Sequence, residues 1–167
     1  EVPTGGIGEI VVRGPQVSVG YHNRPIDHAA AFKEDGFYTG DVGRLDADGF
    51  LYLVDRKRDM IISGGENIYT REVEEIICRH DGVREVSVIG LPDRKFGEAL
   101  FAIIVPAPDW RPSSEELIGH CREHIGSYKI PRSMVFVEEL PKSAMGKVLK
   151  HDLRKTYACQ PKQEIAL

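Results

Sequence analysis

Apolar and polar positions follow two rhythms along the chain. Through residues 8–54 the apolar runs are short and punctuated by glycine. Ile10-Val11-Val12 and Phe50-Leu51-Tyr52-Leu53-Val54 read as β-strands, and this first part is expected to be all-β. Asp48-Gly49 marks a hairpin turn between such strands, because glycine supplies the positive φ a tight turn needs. A dense charge cluster follows, Asp55-Arg56-Lys57-Arg58-Asp59, of the kind that serves as a solvated connector. Beyond it the pattern mixes. Thr70 is placed to cap a helix whose positions Val73, Ile76, Ile77 and His80 recur at helical spacing, with Glu72 and Glu74 near the positive end of its dipole. Strands are expected at 86–89, 99–105 and 134–137. Ser113 with Glu116 forms a capping box for a second helix that buries Leu117, Cys121 and Ile125, and 152–157 reads as a short terminal helix. The fold class that follows is α+β: a glycine-rich β subdomain, then a small α+β domain.

Composition narrows the function classes. With 41% apolar and 29% charged residues in 167, the chain is ordinary globular protein with material for one core or two small ones. A net charge of -4 and a pI of about 5.9 argue against a nucleic-acid binder, which needs a basic face. No apolar run reaches membrane-spanning length, so no transmembrane segment is expected. The start, EVPTGGIGEI, has neither methionine nor an apolar secretory core and reads as a cut inside a longer protein. Cys78, Cys121 and Cys159 occur singly, which suits idle thiols in a reducing cytoplasm.

The chemistry-bearing candidates are few. LPKSAMGKVLK, residues 140–150, places Gly146 and Lys147 in a turn-like segment. A Walker phosphate loop needs glycine where Pro141 stands and Ser or Thr where Val148 stands, so Lys147 acts as a projecting point charge if it acts at all. His120 and His124 share a helix face at zinc spacing, without the H-E-x-x-H pattern or a third ligand, and no metal site is expected. Ser63 lacks the G-x-S-x-G elbow, since position 61 is isoleucine. Arg44 occupies the first ligand position of a calcium loop around Asp48-Gly49, which sets calcium aside.

Five segments in order carry a resemblance: GEIVVRGPQVSVGY (8–21), FYTGDVG (37–43), DRKRDMIISGGENIYTREVEE (55–75), GLPDRKFGEAL (90–100) and LPKSAMGKVLK. Together they resemble the carboxyl-terminal third of the adenylate-forming superfamily, closest in type to its acyl-CoA synthetases, the fatty-acid and aryl acid CoA ligases. The resemblance covers residues 5–155 and implies the following. Residues 1–56 end the large amino-terminal adenylation domain, 57–157 form the mobile carboxyl-terminal domain, and 158–167 are a tail. The enzyme joins a carboxylic acid to AMP, using ATP with Mg2+ and releasing pyrophosphate, then passes the acyl group to coenzyme A. Asp41 binds the ribose hydroxyls from a tight glycine turn, and Arg56 contacts ribose and phosphate. Arg58 stands at the hinge, where the family usually has aspartate or lysine, a mild departure because a hinge changes φ and ψ rather than performing chemistry. Lys147 reaches the acid's carboxylate and the α-phosphate during adenylation, on a loop that Gly146 lets extend. The lid then swings, withdrawing Lys147 and bringing Ser63, Gly64, Gly65 and Glu66 to the passage for the CoA thiol arm, while Gly97-Glu98 is structural.

The implied partners are the missing amino-terminal domain, a small carboxylic acid, ATP and CoA, in the cytoplasm, with no nucleic acid and no bound cofactor on this portion alone. The competing readings are a non-catalytic interaction module that keeps the fold, and an adenylation domain serving a carrier protein. Retention of Asp41, Arg56, Gly65 and Lys147 together weighs against the first, and the wording IISGGENIYTREVE against the second.

Overall fold

The computed structural model describes residues 1–110 and 112–158, and they divide into two units, the first ending at Arg58 and the second beginning at Asp59. In the first unit β1 (Ile7–Val12), β2 (Phe32–Lys33), β3 (Gly36–Leu45) and β4 (Leu51–Arg56) form one antiparallel sheet. Strand β3 lies at its centre, between β1 and β4, and its first residues also pair with β2. The expected Asp48-Gly49 turn closes β3 onto β4. Gly49 sits at φ 85° and its N–H donates to the Asp46 carbonyl, while Asp46 Oδ1 accepts from the N–H groups of Asp48 and Phe50. This part is not all-β, however. The segment Pro25–Ala31 is a short helix, α1, begun by a proline whose missing N–H costs nothing in a first turn. None of its residues is buried, so no apolar stripe betrayed it.

The second unit is built on a five-stranded sheet ordered β6 (Glu66–Ile68), β5 (Ile61–Ser63), β8 (Gly97–Pro106) and β7 (Val83–Asp93), with β9 (Ser133–Phe136) pairing in parallel on β8. Among the described residues three α-helices accompany it, α2 (Thr70–Cys78), α3 (Ser114–His124) and α4 (Lys150–Ala158), with a 3-10 turn at Ser127–Lys129. Both faces of β8 are covered. Leu100, Ala102 and Ile104 join Val73, Ile77, Leu117 and Cys121 in one core, whereas Phe101, Ile103 and Val105 join Ile89, Leu91, Leu140 and Leu153 in another. A strand buried on both sides must be apolar at every position, which explains the unbroken run from Ala99 to Val105. The mixed α and β build agrees with the expected class. Strands β5 and β6, three residues each, were not anticipated, because runs that short carry too little alternation to read.

Helix ends differ in how well the sequence marks them. The capping box on α3 is formed in full: Ser113 Oγ accepts from the Glu116 N–H at 3.2 Å and Glu116 Oε2 from the Ser113 N–H at 2.6 Å. Leu117 and Cys121 are buried, and burial pushes the Cys121 thiol up to about 11. Thr70, by contrast, does not cap α2. It is the first helical residue, Tyr69 precedes it with no side-chain cap, and the Thr70 hydroxyl accepts from Lys150 Nζ at 2.7 Å instead. The apolar stripe of α2 holds Val73, Ile76 and Ile77 but stops short of His80, which lies past the helix end and packs on Trp110 with ring centroids 4.7 Å apart.

The charge cluster also departs from expectation. Asp55 and Arg56 belong to β4, and Asp59 is only 8% exposed, paired to Arg154 Nη2 at 2.9 Å. A partner 95 residues away turned what reads as a solvated connector into a partly buried anchor. Cys159 and residues 159–167 of the expected tail lie outside the described residues. Among those described, no helix is long and apolar enough to cross a membrane.

Replacing Ser113 with alanine is expected to lower the stability of the second unit by about 1 kcal/mol, as a lower urea midpoint at unchanged slope.

Candidate functional site

Within the first unit the strand register brings Asp41 and Arg56 together. They are directly opposite on β3 and β4, with Arg56 Nε 3.6 Å from Asp41 Oδ1, and their side chains are 43% and 48% exposed. Neither is sequestered: a carboxylate with free acceptor positions stands beside a planar donor fork, a pairing able to share a diol or a phosphate between them. Asp41 does not sit in a tight turn. Gly40, at φ 75°, kinks an otherwise continuous strand, next to the register shift where β1 passes from Glu9 to Val11 against β3. The Thr39 hydroxyl donates to the Ile10 carbonyl and accepts from the Asp41 N–H, and the Gly40 carbonyl accepts from the Lys57 N–H at 2.8 Å. The bulge re-aims Asp41 while the hydrogen bonds hold it. Arg58 is exposed and is the last residue of this unit.

Within the second unit, Ser63, Gly64, Gly65 and Glu66 form the two-residue hairpin between β5 and β6. Ser63 pairs with Glu66, and Gly64 and Gly65 lie at φ 60° and 87°, the positive values a type I′ turn demands at both central positions. The Gly64-Gly65 pair, one residue past the apolar triplet Met60-Ile61-Ile62, is the sequence signal that could have revealed the hairpin. A methyl group at Gly65 would meet no atom within 4 Å, so this chain requires glycine there for its backbone angle and not for space. The hairpin is braced from β8. Gly64 N–H donates to the Phe96 carbonyl at 2.9 Å, Ser63 pairs with Gly97, and Glu98 Oε2 accepts from the Ile62 N–H at 2.9 Å. Gly97-Glu98 thus holds the hairpin in place.

Lys147 lies on a closed turn rather than an open loop. Lys142 and Val148 form a bridge, the Ser143 N–H donates to the Lys147 carbonyl at 2.8 Å, and Gly146 N–H donates to the Ser143 carbonyl at 2.8 Å. The Lys147 N–H reaches Ser143 Oγ at 3.2 Å. Gly146, at φ 77°, supplies the left-handed step that closes the turn, so its glycine serves curvature and not extension. Lys147 is exposed, and among the described residues its ammonium enters no ion pair. The histidines assemble no metal site. His120 Nε2 lies 2.8 Å from the Ile76 carbonyl and His124 Nδ1 2.8 Å from the His120 carbonyl, and no cluster of metal-ligating side chains occurs among the described residues.

Residues 72–147 match the family of the AMP-binding enzyme C-terminal domain, a match that ends at Lys147. The chain is 44% identical over 147 residues to the 2-succinylbenzoate–CoA ligase of Geobacillus sp. (strain WCH70), an alignment covering 88% of this chain and 30% of that ligase. It is 44% identical over 146 residues to the long-chain-fatty-acid–CoA ligase of Bacillus subtilis (strain 168), covering 87% of this chain and 26% of that protein. Among solved structures, the o-succinylbenzoate CoA synthetase from Bacillus subtilis in complex with its acyl-adenylate intermediate matches with a TM-score of 0.85 at 39% identity, over 98% of this chain and 33% of that one. Residues 72–147 thus resemble an AMP-binding enzyme C-terminal domain, and the relatives the chain matches are acyl-CoA ligases. The chain spans about a third or less of the length of those relatives.

Alanine at Gly65 is expected to destabilise the second unit by roughly 1–2 kcal/mol, the cost of a left-handed non-glycine residue. Alanine at Gly119, inside α3 with nothing within 4 Å of the added carbon, is expected to stabilise it by about 1 kcal/mol. Thermal or urea unfolding of both variants checks the opposite signs.

Proposed function

We propose that this chain is the carboxyl-terminal portion of an ATP-dependent acyl-CoA synthetase acting on a fatty or aryl carboxylic acid, and that its second unit is the mobile lid. In the first half-reaction a carboxylate oxygen attacks the α-phosphorus of Mg2+-bound ATP and pyrophosphate leaves. In the second, the CoA thiol, losing its proton, attacks the acyl carbon and AMP leaves. Asp41 and Arg56 hold the ribose and phosphate of the nucleotide, Arg58 is the hinge, and Ser63, Gly64, Gly65 and Glu66 line the passage of the thiol arm. Lys147 is the adenylation lysine.

The observation that carries this reading is the state of Lys147: an exposed ammonium, in no ion pair among the described residues, presented by a hydrogen-bonded turn at the end of the AMP-binding match. A cation already committed to a neighbouring carboxylate would have to break that pair before meeting phosphate. One held out on a braced turn is preorganised for charge that develops on the phosphorus oxygens, and it stabilises the transition state more than the ground state. The acyl-adenylate complex of the Bacillus subtilis synthetase and the ligase names of the sequence relatives support the same chemistry. The boundary between Arg58 and Asp59 supports the hinge, because a pivot belongs where one packed unit ends and another begins.

In the full-length protein, Lys147→Ala is expected to lower acid-dependent ATP–pyrophosphate exchange ~100- to 1,000-fold, the loss typical of one aimed charge-stabilising donor. Thioester formation from supplied acyl-adenylate should persist, and equal loss of both steps would refute the assignment. The 167 residues alone are expected to form no acyl-CoA and to bind ATP weakly, because a nucleotide site needs the preceding domain. Thioester formation by the isolated chain, measured with a panel of acids, is the outcome that contradicts this.

A further inference from the structure

Three residues past Lys147 a second lysine takes the opposite course. Lys150 opens α4, but its side chain is turned inward and is only 16% exposed. Its ammonium donates to the Thr70 hydroxyl at 2.7 Å and to Glu74 Oε1 at 2.8 Å, and the same Glu74 oxygen accepts from the Val88 N–H at 2.8 Å. One cation thereby fastens the start of α4 to α2 and, through Glu74, to β7. One turn later Arg154 pairs with Asp59, the first residue of the second unit, and Leu153 between them is 4% exposed in the core. On the other side of the turn, Lys142 pairs with Glu85 of β7 at 2.6 Å and Leu140 is buried. The Lys147 turn is therefore carried between two anchored ends. The Lys142 pair is the more exposed of the two, with side chains 40% and 30% accessible, and solvent screens it. The Lys150 pair, at 16% and 21%, is the firmer.

We propose that Lys150 is a positioning residue for Lys147: its bonds to Thr70 and Glu74 set where the turn stands, so the adenylation lysine travels with the whole unit and not by local opening of its own loop. This rests on the function proposed above. Lys150 touches no reacting atom; it works through the Leu149 and Val148 backbone, where the Leu149 N–H donates to the Pro141 carbonyl at 2.8 Å and Val148 bridges Lys142. Because misplacement of an aimed group by about 1 Å costs on the order of a hundredfold, a loosened anchor is read in rate before it is read in binding.

The test uses Lys150→Met, Lys150→Arg, Lys147→Ala and the Lys147→Ala/Lys150→Met double variant in the full-length protein. Lys150→Met is expected to lower kcat of pyrophosphate exchange roughly tenfold to a hundredfold. KM for ATP and acid, and thioester formation from supplied acyl-adenylate, should stay nearly unchanged. Lys150→Arg keeps the charge and should recover most of the rate. Added to Lys147→Ala, the Lys150 change should cause no further loss, since a residue acting through another is silent once the other is gone. In this chain, Lys150→Met should speed hydrogen exchange at the Gly146 and Leu149 amides while those of Ile103 and Ile104 keep their protection. Losses that multiply in the double variant, or exchange that quickens across the whole sheet, overturn the positioning role. An inert Lys147→Ala overturns the proposed function itself, and is thereby distinguishable.

Discussion

In the second unit strand β8 is packed on both sides. Strand β8 sends Leu100, Ala102 and Ile104 into the core beneath α2 and α3, and Phe101, Ile103 and Val105 into the core that receives Leu140 and Leu153. Each fully buried aliphatic side chain contributes about 1.5–3 kcal/mol of transfer free energy, and alternation makes a single strand the source for two layers. Every proposed functional segment of this unit hangs from that strand. The 63–66 hairpin is braced by Phe96, Gly97 and Glu98 at its start. The segment leading to Lys147 follows β9, which pairs in parallel along 101–104, and the Val137 N–H extends the pairing to the Ile104 carbonyl.

Electrostatics then differentiates positions that the packing has placed. Lysines 142, 147 and 150 fall within one short segment, yet Lys142 and Lys150 are committed to Glu85 and Glu74 while Lys147 enters no ion pair among the described residues. Committed charges orient a backbone, and an uncommitted one is available to a ligand. Asp41 and Arg56 differ again, being near enough to interact at 3.6 Å but exposed enough that solvent weakens the pair. Such a loose pair is readily shared with a third group, in contrast to Asp59 and Arg154 at 2.9 Å, where the carboxylate is largely withdrawn from water.

Features specified by neighbours in sequence were the legible ones. The Ser113-x-x-Glu116 box formed as its spacing requires, because both reciprocal bonds lie within one helical turn. Asp48-Gly49 turned the chain where a positive φ was available, and the apolar run 99–105 read as a strand because its length and β-branched content leave little else. The misreadings share a cause as well. Helix α1 buries nothing, so it has no stripe; β5 is held by pairing with the distant strand β8 and carries β6 with it; Thr70 reads as a cap, but its hydroxyl answers to Lys150, 80 residues away.

By itself the sequence determined the class of fold, through local propensity and fixed spacing, the ordered motifs that resemble the acyl-CoA ligases, and the residue types on which the proposed nucleotide chemistry rests. Only the tertiary structure decided that Asp41 faces Arg56 across a strand pair, that Asp59 is an anchor and not a linker, that Gly146 closes a turn, and that of three neighbouring lysines Lys147 is the one left without an ion pair among the described residues. The reason is that a charge's role depends on its partner and its access to water, and both are set by parts of the chain far away in sequence.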